Sequence, residues 1–238
     1  MLNEQTIAKM NQMKLFGMAN GFAERSGKAD HAELSHQEFA GLLVDDEKIY
    51  RENRRLARLL KYARLKQQAA LEDIDYRHQR GLSKQMMLEL AGGQWLVKKQ
   101  NILITGPTGI GKSFIASALG NQACRAGYTT RLERVPRLFE SLMMAKADGT
   151  HLKLITQMGK AGALILDDFG LSPLKDEERK DLLEIIEDRT GMGATIVTSQ
   201  LPTKNFHEVI GEPTIADAIC RRMFHNAYRI ELKGKALG

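Results

Sequence analysis

The sequence contains a stretch whose residue types could hold a chain of phosphates, GPTGIGKS from Gly106 to Ser113. Its glycines allow the backbone to turn N–H groups inward around an anion. Lys112 could neutralise the outer phosphates, and the Ser113 hydroxyl could ligate Mg²⁺. NILIT before the stretch is typical of a buried strand and FIASALGNQACRAG after it of an amphipathic helix, which is the context that this motif requires. The predicted phosphate-binding residues are Gly106, Pro107, Thr108, Gly109, Ile110, Gly111, Lys112, Ser113 and Phe114.

A pair of carboxylates, Asp167 and Asp168, follows the apolar run ALIL. Two adjacent carboxylates at the end of a buried strand are costly unless a cation lies near them. Asp167 would then hold the Mg²⁺ shell, and Asp168 would orient or deprotonate an attacking water. A solvated turn is the alternative for this dipeptide alone, but its occurrence with a phosphate loop favours the catalytic interpretation.

Another apolar run, ATIVTSQLP, also ends in polar side chains. Ser199 or Gln200 could reach an outer phosphate or the water beside it. A strand-end cap explains the same residues nearly as well, and the sequence leaves both interpretations open.

Residues 51–66, RENRRLARLLKYARLK, form a strongly basic stretch. At about 100° per residue, Ile49, Leu56, Leu60 and Ala63 fall on one face of a helix. The basic residues on the opposite face are Arg51, Arg54, Arg55, Arg58 and Lys61. A basic stripe of this kind is typical of contact with DNA phosphates, and we predict that these residues bind DNA. A solvated helix face and an acidic partner protein are the alternatives.

Composition narrows the range of functions. The 238 residues carry a formal net charge of +6 and a pI of about 9.3, which favours an acidic partner, nucleic acid before any other. The two cysteines, Cys124 and Cys220, form no CxxC pair, so a disulfide framework or a cysteine zinc site is not expected. With no signal-peptide pattern and no run of roughly 18 apolar residues, we expect a cytoplasmic protein without a membrane partner.

The distribution of residue types along the chain predicts separate helical and α/β parts. Residues 1–66 lack strand-like runs and proline, and are expected to form a small helical domain that binds DNA or a partner. Within them, SHQE from Ser35 to Glu38 fits a helix N-cap with its reciprocal glutamate. Residues 67–100 would form a linker on the adenine side of the nucleotide. Residues 101–238 alternate β-rich runs with helical patterns, which predicts an α/β core with a mostly parallel sheet covered on both faces.

The order of these parts resembles the AAA+ ATPases. More narrowly, it resembles the helper ATPases of bacterial insertion sequences, the IstB family, which is related to the DnaC helicase loaders and the DnaA initiators. The narrower resemblance rests on ALILDDFG, IVTSQLP and RRMFHNAYRIELKG, and covers about residues 35–238. It implies a P-loop core with a five-stranded parallel sheet in the order 5-1-4-3-2, its strands starting near residues 101, 129, 163, 194 and 228. A helical insertion would lie between the second and third strands.

The resemblance also implies roles for particular residues. Arg222 would match the arginine finger that reaches into a neighbouring subunit's site, with Arg221 as the alternative. Gln200, with Ser199 before it, would match the sensor at the end of the fourth strand. Asp168 stands where many AAA+ proteins carry Glu, which suggests slow turnover. The sequence stops soon after the last strand, without a C-terminal lid domain, so we expect an adjacent protomer to complete the site.

The implied function is that of a DNA transposition helper. Such a protein would use ATP and Mg²⁺, form a homo-oligomer on duplex DNA and present the target to a transposase. DNA would stimulate its slow hydrolysis of ATP. A helicase loader that prefers single strands, a switch that binds ATP without hydrolysing it, and a nucleotide kinase are the alternatives, although a kinase would need an arginine-bearing lid.

Overall fold

The computed structural model describes residues 2–26, 34–66, 69–78 and 80–236. They divide into two compact units, Met1–Arg58 and Leu59–Gly238. None of the helices within the described ranges combines the length and the apolar character that crossing a membrane requires.

The first unit is built from helices. It contains α1 (Leu2–Gln12), α2 (Phe16–Arg25) and the greater part of α3 (His36–Ala63), a helix of 28 residues. The Ser35 hydroxyl accepts a hydrogen bond from the Glu38 N–H at 3.3 Å, and the Glu38 carboxylate accepts one from the Ser35 N–H at 2.9 Å. This reciprocal pair satisfies N–H groups that a helix start leaves free, and it confirms the predicted N-cap.

Close approach of two backbones joins α2 to α3. A Cβ on Gly17 would lie only 2.5 Å from the carbonyl oxygen of Asp46. The buried carboxylate of Glu47 accepts hydrogen bonds from the N–H groups of Gly17 at 2.7 Å and Met18 at 3.1 Å, and so caps the start of α2. Burial alone would raise the pKa of Glu47, but bonds from Arg51 and these N–H groups outweigh it and lower the pKa.

The apolar face of α3 differs in part from the predicted one. Phe39 lies against Phe22, with 6.0 Å between ring centroids, and Tyr50 lies against Phe16 at 5.8 Å. Positions 39 and 50 share a face because they are three helical turns apart. Ile49 is rotated away by about 100° and its side chain is 55% exposed, so the face on which it aligns with Leu56 and Leu60 is not the buried face in this part of α3.

The second unit contains a five-stranded parallel sheet. Its strands are β1 (Ile102–Thr105), β2 (Thr130–Arg134), β3 (Ala163–Phe169), β4 (Ala194–Ser199) and β5 (Tyr228–Glu231). Their order across the sheet is β2-β3-β4-β1-β5, which is the predicted order read from the opposite edge.

Helices cover both faces of this sheet, as predicted. Alternation along β1 sends Leu103 into one apolar core and Ile102 and Ile104 into the other. Two helices lie between β2 and β3, where the helical insertion was expected. The helices of this unit that follow α3 are α4 (Lys84–Ala91), α5 (Gln94–Val97), α6 (Lys112–Arg125), α7 (Val135–Ala147), α8 (His151–Gly159), α9 (Asp176–Arg189), α10 (Phe206–Ile210) and α11 (Pro213–Phe224), with 3-10 turns at Leu71–Asp73 and Thr203–Asn205.

The candidate binding and catalytic residues lie together at the carboxyl ends of the strands. Parallel strands end at the same edge, so the loop after β1 lies beside the ends of β3 and β4. The pairing register sets Arg134 opposite Asp167 and Thr105 opposite Ser199. Residues far apart in sequence therefore meet at a single site.

Candidate nucleotide-binding site

The loop between β1 and α6 leaves no room for side chains at Gly106 and Gly109. Gly106 has φ 146° and Gly109 has φ 76°, values that L-residues rarely adopt. A Cβ on Gly106 would lie 2.4 Å from the carbonyl oxygen of Leu232, and one on Gly109 would lie 2.8 Å from the Cβ of Ala236. The loop ends at the N-terminus of α6, where helix N–H groups and the helix dipole favour an anion.

Lys112 opens α6 and turns back over the loop. Its Nζ donates to the carbonyl oxygens of Gly106 at 2.7 Å and Pro107 at 2.8 Å. Burial lowers the pKa of the Lys112 ammonium, while the charges of Asp168 and Asp167 act in the opposite direction. A phosphate oxygen is a stronger acceptor for an ammonium than a carbonyl, so this lysine suits a phosphate chain in the loop.

Asp167 is fully buried at the end of β3 and is held by three side chains. Its Oδ1 accepts hydrogen bonds from the Ser113 hydroxyl at 2.8 Å and from the Thr198 hydroxyl at 2.5 Å. Its Oδ2 accepts from the Lys66 ammonium. Burial alone would raise the pKa of Asp167, but the bonds from Lys66, Thr198 and Ser113 outweigh it and lower the pKa. The carboxylate is therefore ionised beside the first turn of α6.

Asp168 adopts a left-handed backbone conformation, with φ 62°. The pairing of β3 with β4 is irregular between Leu166 and Phe169, and the Asp168 N–H leaves the ladder to donate to the Thr198 hydroxyl at 3.0 Å. Its carboxylate accepts from Arg134 Nε at 2.7 Å and its side chain is 19% exposed. Strained backbone of this kind is concentrated at functional sites, and here the second carboxylate is partly exposed beside Arg134.

The two candidates at the end of β4 have different surroundings. Ser199 is buried; its hydroxyl donates to the carbonyl oxygen of Phe169 at 2.8 Å and accepts from the N–H of Leu201 at 3.1 Å. Gln200 is exposed. The hydroxyl of Ser199 thus has backbone partners as a strand-end cap would, and contact between Gln200 and a ligand stays a prediction.

The two arginines near the end of α11 also differ. Arg222 donates to Glu187 at 2.8 Å and to the carbonyl oxygen of Ala218 at 2.9 Å. Arg221 is exposed. Since both interactions of Arg222 are partly open to solvent, they would hold it only weakly, and either arginine could extend away from the unit.

The geometry fits a nucleotide with a divalent metal. A hydroxyl and an ionised carboxylate, those of Ser113 and Asp167, are hard oxygen ligands that suit Mg²⁺. The loop beside them is a cradle that a Cβ would fill, and it carries a lysine. These are the parts of a Walker-type phosphate site in their usual order.

Comparison with known proteins identifies the family. Residues 8–237 match the family described as IstB-like ATP binding protein. The chain belongs to this family. It is similar over its whole length to a protein of Sinorhizobium fredii named as an insertion sequence ATP-binding protein, with 48% identity over 237 residues and 97% of that protein covered.

Solved structures show that this IstB-like chain shares the fold of AAA+ proteins related to DnaC and DnaA. The crystal structure of DnaI superposes with a TM-score of 0.61 at 20% identity, covering 74% of this chain and 94% of that one. The DnaC helicase loader superposes with a TM-score of 0.59 at 16% identity, covering 69% of this chain and 97% of that one. The resemblance expected from the sequence is confirmed for family and fold.

The predicted DNA-binding residues of the IstB-like chain lie exposed on α3, where contacts within the protein engage some of them. Arg51 donates to Glu47 at 2.6 Å, and the guanidinium of Arg54 lies 5.9 Å from the ring centroid of Phe16. Arg58 and Lys61 are exposed and three residues apart, on one side of the helix. Contact with DNA remains a prediction for all five, and Arg58 and Lys61 are the clearest residues on which to test it.

Sequence reasoning missed three members of the site. Thr198 could have been found from the strand pattern, because pairing Leu166 with Val197 brings the next residues, Asp167 and Thr198, together. Arg134 could have been found from the predicted strand order, which puts the end of β2 beside that of β3. Lys66 is 101 residues from Asp167 in the sequence, and no local pattern points to it.

The loop geometry predicts that Gly106→Ala will weaken ATP binding by at least about tenfold, the equivalent of roughly one charge-assisted hydrogen bond. The reason is that the new Cβ would overlap the Leu232 carbonyl and displace the loop. Equilibrium binding of a fluorescent ATP analogue would measure this. Gly149→Ala is the matched control, because Gly149 has φ 76° with open space around it. Equal affinity in the two variants would contradict the steric argument.

Proposed function

We propose that this IstB-like chain is a DNA transposition helper: a slow, DNA-stimulated, Mg²⁺-dependent ATPase that assembles on duplex DNA and assists a transposase. The observation that supports hydrolysis is the Asp167–Asp168 pair, with one carboxylate bonded to Ser113 of the phosphate loop and the other partly exposed and paired with Arg134. A site that only bound ATP would have no need of the second, strained carboxylate.

Each residue has a defined role in this proposal. Lys112 neutralises the outer phosphates, and Ser113 and Asp167 hold the metal ion. When bound, Mg²⁺ supplies positive charge to the transferring phosphoryl group. Asp168 orients the attacking water and accepts its proton, with Gln200 as a second polar group beside the phosphate. The short side chain of Asp168 is consistent with slow turnover.

The transposase partner is inferred from the relatives. The name of the Sinorhizobium fredii protein refers to an insertion sequence, and similarity over the full chain supports the same setting here. Duplex DNA as the ligand is inferred from the net charge of +6 and from the basic residues exposed on α3.

Homo-oligomerisation is inferred from the arginines of α11. In the proposed assembly, ATP and DNA bring two copies together, and Arg222 of one copy leaves Glu187 to reach the phosphates held by its neighbour. Arg221, which is exposed in the single chain, is the alternative finger.

We expect Asp168→Asn to bind ATP as the parent does and to hydrolyse it about 10²–10⁴-fold more slowly, because an amide cannot accept the proton of the attacking water. Lys112→Ala should fail at the earlier step of binding. Phosphate release and analogue binding, measured on the same preparations, separate the two effects. Asp188→Asn, an exposed position on α9, is the control. Hydrolysis by Asp168→Asn at the parental rate would rule out the assigned role.

The DNA contact predicts a change in salt dependence. Replacing both Arg58 and Lys61 by Ala should weaken duplex binding to a similar extent on different sequences. It should also reduce the slope of log affinity against log salt concentration by about two units, close to one for each lost phosphate contact. The pair Lys98→Ala and Lys204→Ala removes the same charge elsewhere and serves as control. An unchanged slope would indicate that the basic residues of α3 form a solvated helix face and do not contact DNA.

A composite active site predicts complementation between inactive variants. Arg222→Ala should bind ATP but lose roughly 10³–10⁵ in rate, and Lys112→Ala should keep its own finger but bind no ATP. Their mixture should recover part of the ATPase activity, more so with DNA. The control mixture carries Arg222→Ala in both partners. If co-assembled chains stay inactive, Arg222 does not act in trans, and the same mixture with Arg221→Ala tests the alternative.

A further inference from the structure

Lys66 lies at the site, but none of the roles proposed above involves it. It lies three residues after the end of α3 at Ala63, and its ammonium is bonded to Asp167 Oδ2. The same ammonium is 3.8 Å from Asp168 Oδ2. A single cation thus serves both carboxylates of the pair.

Neighbouring residues fix the chain at this point. Ala63 is fully buried, Arg64 turns the backbone out of the helix with φ 53°, and Leu65 packs against the core around α6. The Lys66 side chain is nevertheless 38% exposed. The backbone is anchored, while the long side chain has a route to solvent and can move without carrying a charge into the interior.

The acceptors of Asp167 show what this lysine competes with. Oδ1 is shared by the Ser113 and Thr198 hydroxyls, so Oδ2 is the oxygen left for a cation, and Lys66 holds it. An ammonium and a divalent metal on one buried carboxylate would repel each other strongly, because the surroundings screen charge poorly. We therefore expect Lys66 and a metal ion to compete for Oδ2.

We propose that Lys66 is a resident counter-ion that occupies the metal position of the Asp167–Asp168 pair and must be displaced before Mg²⁺ can bind. This inference rests on the proposed Mg²⁺-dependent ATP site. It assigns Lys66 the role of a positioning residue that sets the Mg²⁺ requirement of that site. Without metal, Lys66 keeps the buried charge compensated; with metal, its ammonium moves to solvent.

The test is the Mg²⁺ dependence of binding of a fluorescent ATP analogue. In Lys66→Gln and Lys66→Met, the Mg²⁺ concentration for half-maximal binding should fall by at least about tenfold, since the metal no longer displaces a charge-assisted bond. Lys66→Gln can still donate a hydrogen bond to Asp167, which protects against failure to fold. Lys66→Arg, which keeps the charge, should stay close to the parent. Lys98→Met, just before β1 at the opposite edge of the sheet, is the charge control.

Thermal unfolding with Mg²⁺ alone provides a second readout that needs no nucleotide. In chelator, Lys66→Met should have a lower Tm than the parent, because Asp167 loses its cation, and added Mg²⁺ should raise the Tm of the variant more than that of the parent. A purely structural role for Lys66 would lower the Tm in chelator without this selective recovery.

The outcomes separate this inference from the proposed function. An unchanged or higher Mg²⁺ requirement in the neutral variants overturns it, since Lys66 would then be neutral toward the metal or assist nucleotide binding. Analogue binding by the parent that does not depend on Mg²⁺ overturns it as well. If the parent binds the analogue with Mg²⁺ but never hydrolyses ATP, the proposed ATPase fails while a lower requirement in Lys66→Gln still supports the counter-ion.

Discussion

The charge of Asp167 is the constraint on which the rest of the site depends. A fully buried carboxylate is tolerated only where donors and a cation surround it. Those groups come from three separate parts of the chain: Ser113 at the start of α6, Thr198 at the end of β4 and Lys66 after α3. The need to compensate one charge therefore holds the phosphate loop, the sheet edge and the end of α3 in a single arrangement.

The second carboxylate depends on the same arrangement. Asp168 can adopt its left-handed backbone because the Thr198 hydroxyl accepts its N–H in place of a ladder partner, and because Arg134 holds its side chain. Thr198 thus donates to one aspartate and accepts from the other. Because one hydroxyl serves both residues, two adjacent carboxylates can lie at a strand end in different surroundings, one fully buried beside the loop and one partly exposed.

The separation in sequence between interacting residues decides how much of the fold and of the site could be predicted. The phosphate loop, the strand before it and the Asp pair are each encoded in consecutive residues, and their sheet order followed from the family resemblance. The position of Thr198 beside Asp167 depends on the register between β3 and β4, and a slip of one residue would separate the two side chains. Lys66 depends on where a separate helix ends, which no local pattern encodes. The exposure of Ile49 has a related cause, because the buried face of α3 near this residue is selected by α2 and not by periodicity alone.

The position of Lys66 has a thermodynamic consequence for the proposed function. α3 is one continuous helix that carries Arg58 and Lys61, and the chain reaches Lys66 three residues after it ends. Because the backbone around Leu65 is anchored, DNA on α3 would act through charge: its phosphates would attract the Lys66 ammonium away from Asp167 and so change the affinity for metal. Linkage makes this coupling reciprocal. If DNA on α3 lowers the Mg²⁺ requirement by some factor, Mg²⁺ in the site must raise the affinity for DNA by the same factor. In the proposed function, the Lys66 side chain would therefore couple the binding of Mg²⁺ and nucleotide to the binding of DNA.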